Sequence, residues 1–131
     1  MENDNSKLKI ILIDDDRFLL DMYSLKFKKS GAEVEAFGNS NTALEKIRSG
    51  AVYDIVLLDI IMPGMDGLEL LTTIRTEKLL PSATIIMLTN QADDFEKAKN
   101  LSIDGYIVKA TTIPSEVVEQ VLEIYKDKKA K

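Results

Sequence analysis

Residues 8–16 read LKIILIDDD, a nearly continuous apolar run that stops on three carboxylates. A β-prone run without polar alternation suits a strand buried on both faces, and such strands belong to parallel sheets covered by helices. Beyond it the period changes. Over 16–30, Phe18, Leu19, Met22, Leu25 and Phe27 recur at helical spacing, and Gly31 ends the pattern. Residues 33–37 (EVEAF) alternate as a short strand. A helix follows over 40–49 through Ala43, Leu44 and Ile47, with Ser40 or Asn39 as cap and Gly50 as stop. Residues 54–58 (DIVLL) predict a third strand; the turn-rich PGMDG and a helix capped by Asp66, carrying Leu68, Leu70, Leu71 and Ile74, come next. A strand at 84–88 (TIIML), a short polar helix near 92–100 and a strand at 105–108 (GYIV) continue the series. The last helix, at about 115–127, carries Val117, Val118, Val121, Leu122 and Tyr125, and KDKKAK reads as a solvated tail. Five βα units without a linker predict an α/β fold with helices on both faces of a parallel sheet, joined by right-handed crossovers.

A chain of 131 residues has the size of one domain. With 45% hydrophobic and 30% charged residues it suits a soluble globule with a core and poorly matches disorder, collagen or a coiled coil. A net charge of −5 argues against direct binding of nucleic acid. The chain has neither cysteine nor histidine. Disulfides, thiolate nucleophiles, sulfur or imidazole metal sites and Ser-His-Asp chemistry are thereby excluded. A metal site here must be built from oxygen, which points to magnesium or calcium. The polar start MENDNSKLK is no signal peptide, and no apolar stretch approaches the roughly 20 residues needed to span a bilayer. The expectation is a cytoplasmic protein without a membrane partner.

Function in open α/β sheets collects at the carboxyl ends of the strands. Asp14, Asp15 and Asp16 follow the first predicted strand, Asp59 the third, Thr89 the fourth and Lys109 the fifth. Each has a plain use alone: the acids as a helix cap, Asp59 in a turn, Thr89 as a cap, Lys109 at the surface and Tyr106 in packing. Together on one rim they ask for more. Asp14, Asp15 and Asp59 are three crowded negative charges, which cannot all stay ionised unaided. A magnesium ion and the Lys109 ammonium would balance them. Such a site suits phosphoryl transfer, in which positioning and neutralising oxygens is most of the catalysis. An Asp carboxylate can itself be the nucleophile and form an aspartyl phosphate. Thr89 and Lys109 would then bind two phosphoryl oxygens.

The order ILIDDD, LLDIIMPGMDG, IIMLTN and GYIVKA resembles the receiver domain of bacterial two-component response regulators, over essentially the whole chain. The resemblance implies a flavodoxin-like doubly wound five-stranded parallel sheet of strand order 2-1-3-4-5. It implies Asp59 as phosphoacceptor, with Thr89 and Lys109 as the groups that contact the phosphoryl group. Magnesium ligands would be Asp14, Asp15, Asp59 and the backbone carbonyl of Ile61. Tyr106 would turn inward when the Thr89 hydroxyl moves. Three positions depart from the family pattern: Ala110 replaces a proline in a cis bond, Asn90 a small residue, and Ser102 a glycine before the last strand. A cis bond before alanine costs about 2.5–4 kcal/mol, yet the match of GYIVK favours cis at Lys109–Ala110.

The resulting reading is a phosphorylation-dependent signalling switch rather than an enzyme in its own right, assisting its own phosphorylation and slow dephosphorylation. It takes residues 1–131 as a single receiver domain with polar ends at 1–7 and 128–131 and no room for an effector domain. The partners implied are a sensor histidine kinase or phosphotransfer protein, and a downstream protein target. That target would meet the face made by the predicted fourth helix, fifth strand and fifth helix; a homodimer formed on phosphorylation is admitted. The rival is a small haloacid dehalogenase-type phosphatase with Asp14 as nucleophile, since Asp14 and Asp16 form its D-x-D. A flavodoxin-like FMN carrier fits less well, because it wants a phosphate-cradling loop where this chain puts three acids.

Overall fold

The apolar run of the opening segment forms β1 (Lys9–Ile13), with residues 10–13 buried. The computed structural model describes residues 7–90, 96, 98 and 100–130. The other strands are β2 (Glu33–Phe37), β3 (Ile55–Asp59), β4 (Thr84–Thr89) and β5 (Gly105–Val108). All pairings are parallel and the order is β2-β1-β3-β4-β5. The order reverses between β1 and β3, so the ends of these two strands flank the switch point. Helix α1 (Arg17–Lys29) and the C-terminal helix (Pro114–Lys129) cover one face; α2 (Ser40–Arg48) and α3 (Gly67–Thr76) cover the other.

The central strands feed both cores. Ile10, Leu12, Ile55, Leu57, Ile86 and Leu88 pack under α1 and the C-terminal helix, while Ile11, Ile13, Val56, Leu58, Ile85 and Met87 pack under α2 and α3. At the amino ends, side chains take the place of missing ladder partners. Asp54 Oδ2 accepts from the Lys9 N–H at 2.9 Å, and Asp104 Oδ2 from the Ile85 N–H at 2.8 Å.

Three local readings change. In α1 the buried stripe is Leu20, Tyr23 and Phe27, while Phe18 is 69% exposed and Leu25 is exposed too. Of the expected stripe Phe27 is buried and Leu19 and Met22 are partly so, while Leu20 and Tyr23 replace Phe18 and Leu25 at the centre of the face. The strands β3 and β4 run one residue further than expected, through Asp59 and Thr89, since both stay in register with neighbours Leu88 and Val108. The expected tail is helical through Lys129, and Lys128 docks on the sheet: its Nζ donates to the Ala83 carbonyl at 2.9 Å and lies 3.1 Å from Asp104 Oδ2. The helix expected near 92–100 lies mostly outside the described residues; Glu96 and Ala98 are helical.

Candidate functional site

Three consecutive acids leave β1, and the backbone sends each to a different place. Asp14 continues the strand edge, its N–H donating to the Phe37 carbonyl at 3.1 Å, and is 1% exposed. Asp15 faces solvent. Asp16 caps α1, its Oδ1 accepting from the Leu19 N–H at 3.1 Å. One strand away, Asp59 ends β3 and is 3% exposed. Carboxylate oxygens of Asp14, Asp15 and Asp59 lie within 4.8 Å of one another.

Lys109 opens a 3-10 turn (Lys109–Thr111) directly after β5, and its side chain runs back under the rim. Its Nζ donates to Asp14 Oδ2 at 3.0 Å and to Asp59 Oδ2 at 3.2 Å, and all three side chains are nearly inaccessible to water. Asp14 Oδ1 accepts from the Asp16 N–H at 2.9 Å. The expected cis bond is not found: every peptide among the described residues, Lys109–Ala110 included, is trans. Alanine lacks the ring that makes cis affordable, and the short turn aims the lysine inward without it.

Burial and the Asp14 charge push the Asp59 carboxyl up to about 7, against an ordinary 3.8. Lys109 offsets part of this rise. Burial would pull the ammonium down, but Asp59 and Asp14 outweigh it and hold Lys109 above its ordinary value. One cation is shared by two buried carboxylates, with a third at the rim. An all-oxygen cluster of this charge fits a hard divalent cation.

Thr89 ends β4 fully buried, beside Val108 of β5. Tyr106 is half-buried against the core under α2 and α3, opposite Met87. Ile61, two residues past Asp59, is 56% exposed. Asp14, Asp15, Asp59 and Lys109 are thus brought together, with Thr89 and Tyr106 on the adjoining strands.

Two residues at the site were not singled out from sequence. A Cβ on Gly67, the first residue of α3, would lie 2.0 Å from the Asp59 carbonyl oxygen. Its N–H donates to the Ile60 carbonyl at 2.8 Å. The second glycine of PGMDG is therefore needed for close approach, and Asp66 with Glu69 closes a capping box around it. Tyr23 is the other. Its phenol is buried within electrostatic reach of Lys109, Asp14, Asp16 and Asp59, and burial pushes it up to about 12. The 20-23-27 spacing was the available signal.

The response regulator receiver domain family model matches residues 10–122. The regulatory protein VanRc of Enterococcus gallinarum is 32% identical over 115 residues, covering 86% of this chain and 48% of its own. The chain spans about half the length of the curated relatives it matches. A response regulator receiver domain protein of Methanospirillum hungatei superposes with TM-score 0.83 at 28% identity, over 95% of this chain and 98% of that one. Response regulator TrrA of Thermotoga maritima, solved in complex with Mg(2+)-BeF, gives TM-score 0.77 at 33% identity, over 91% and 99%. Neither the family match nor these relatives favour the phosphatase reading.

Proposed function

The chain belongs to the response regulator receiver domain family, and from that premise we propose that residues 1–131 form one receiver unit that accepts a phosphoryl group on Asp59. The observation that carries this reading is the Lys109 ammonium held between two buried carboxylates at adjacent strand ends. Asp59 is the acceptor because it ends the strand at the centre of the cluster. Its carboxylate oxygen attacks phosphorus while the phosphorus–nitrogen bond to the phosphohistidine of a sensor kinase or phosphotransfer protein breaks. Asp14, Asp15, Asp59 and the Ile61 carbonyl would hold magnesium, which when bound supplies charge neutralisation for phosphoryl oxygens. Lys109 stays charged throughout and exchanges its contact with the Asp59 carboxylate for one with the phosphoryl group.

Before transfer, Lys109 contacts Asp59 directly; afterwards the added group displaces that contact and attracts the Thr89 hydroxyl. Movement of Thr89 empties space beside Tyr106, whose ring follows. A partner that binds the two arrangements unequally reads the change. The surface proposed for that partner is β5, the C-terminal helix and the helix expected near 92–100, most of which lies outside the described residues, and the setting proposed is the cytoplasm. Among the described residues no helix is long and apolar enough to cross a membrane.

The test is intact mass after incubation with acetyl phosphate and magnesium. Wild type should gain one phosphoryl group and Asp59→Asn none. Label retained in Asp59→Asn, or mapped to Asp14, refutes the assignment. Phosphorylated Thr89→Ala should accept the group yet lose the amide-shift response around Tyr106.

A further inference from the structure

The far end of β5 from the site is pinned from both helical layers. Residues 101–104 bring the chain back to the sheet just ahead of this short edge strand. From the α3 side, Arg75 Nε donates to the Leu101 carbonyl at 3.2 Å and Nη2 to the Ser102 carbonyl at 2.9 Å. From the opposite side, Lys128 bridges Asp104 and the Ala83 carbonyl. Asp104 in turn pairs with Ile85 of β4 through both its carboxylate and its N–H, each at 2.8 Å. Ile124 of the C-terminal helix lies so close that a Cβ on Gly105 would meet its Cδ1 at 2.5 Å.

The turn itself is strained. Ser102 adopts φ +59°, a left-handed conformation that a residue with a Cβ enters at a cost. Such a conformation persists only where its surroundings hold it, and here the Arg75 guanidinium holds the Ser102 carbonyl. Neither cation touches the carboxylate cluster. Both hold the base of the strand that carries Tyr106 next to that base and leads into Lys109 at its other end.

We infer that Arg75 and Lys128 are positioning residues for the response to phosphorylation, anchoring the base of β5 so that a change at Lys109 and Thr89 is expressed at Tyr106. The inference rests on the phosphoacceptor reading above. β5 pairs with β4 alone among the described strands, so the two cations add to a one-sided ladder, the Asp104–Ile85 pair and the burial of Ile107 in setting its register. With its base free, the strand would absorb the change by shifting along β4. With its base fixed, the change goes into the ring.

The experiment uses the full chain labelled with nitrogen-15, phosphorylated with acetyl phosphate and magnesium, with intact mass taken on each sample. Arg75→Ala and Lys128→Met should reach the wild-type extent of phosphorylation but lose most of the Tyr106 amide-shift response. Adding Ser102→Gly to Arg75→Ala should not restore it, because glycine relieves the left-handed turn but supplies no tether to α3. Arg75→Lys, which reaches one carbonyl in place of two, should respond in between and serves if the alanine variant does not fold. A full Tyr106 response in Arg75→Ala, Arg75→Lys or Lys128→Met, or rescue of Arg75→Ala by Ser102→Gly, overturns the inference while the phosphoacceptor reading stands. A wild type that takes up no phosphoryl group overturns both.

Discussion

Asp59 is held in a place that disfavours its own charge, and this has a measurable pH signature. Folded, it keeps its proton up to about pH 7; unfolded, it loses it near the ordinary 3.8. Between these values the folded state binds more protons, so this group's contribution to stability declines as pH rises. The penalty is absent below the lower value and complete above the upper one. Asp59→Asn removes it. Denaturant midpoints without metal should therefore show the mutant's advantage over wild type opening from about pH 4 and levelling above about pH 7. A gap independent of pH would mean that the crowding is not felt. Gly67 makes the second residue-scale case. Gly67→Ala drives a methyl into the Asp59 carbonyl, and the α3 start must back away. A loss of about 2 kcal/mol or more is expected from such overpacking, with weaker magnesium binding because Asp59 moves. Equilibrium unfolding and a metal titration on the same variant check both parts.

At the scale of elements, the helix ends show how much the sequence already encodes. Helix α1 ends in a Schellman motif with Gly31 left-handed at φ +100°, Ala32 N–H bonded to the Phe27 carbonyl and Gly31 N–H to that of Lys28. Helix α3 ends the same way, Leu79 bonding Ile74 and Lys78 bonding Arg75, but with Lys78 in the left-handed position at φ +58°. No intrinsic preference recommends a lysine there. Lys78→Gly should stabilise the protein by about 1 kcal/mol, the order of the left-handed penalty it removes. A thermal or denaturant midpoint unchanged or lowered by this substitution would contradict it. The phase of α1 is the opposite lesson. Phe18 and Leu25 are as apolar as anything buried, and only packing against β1, β3 and the C-terminal helix selects Leu20, Tyr23 and Phe27.

For the molecule as a whole, a cation that binds the folded cluster and not the unfolded chain must raise the melting temperature. Magnesium at a hundredfold excess over its Kd should add about 2.7 kcal/mol. Asp15→Asn, which touches an exposed side chain, should leave the metal-free melting temperature almost unchanged and shrink the magnesium effect. An equal magnesium shift in that variant would remove Asp15 from the ligand set.

The order of strands and helices, the parallel sheet and the rim that gathers Asp14, Asp15, Asp59, Thr89 and Lys109 were legible in the linear chain. Each rests on a local signal: a period of hydrophobicity, a cap, or a charged residue where an apolar run stops. The sequence also marked Ala110 as unusual, but the trans bond that carries Lys109 inward depends on how the turn after β5 meets the rim. The same holds for Gly67 against the Asp59 carbonyl, for Tyr23 beneath the site and for Arg75 and Lys128 at the base of β5. These contacts join residues far apart in the chain, and their energies depend on distance and burial. Propensity and period act along the chain and are written in it; close approach, shared protons and desolvation exist only once the elements have packed.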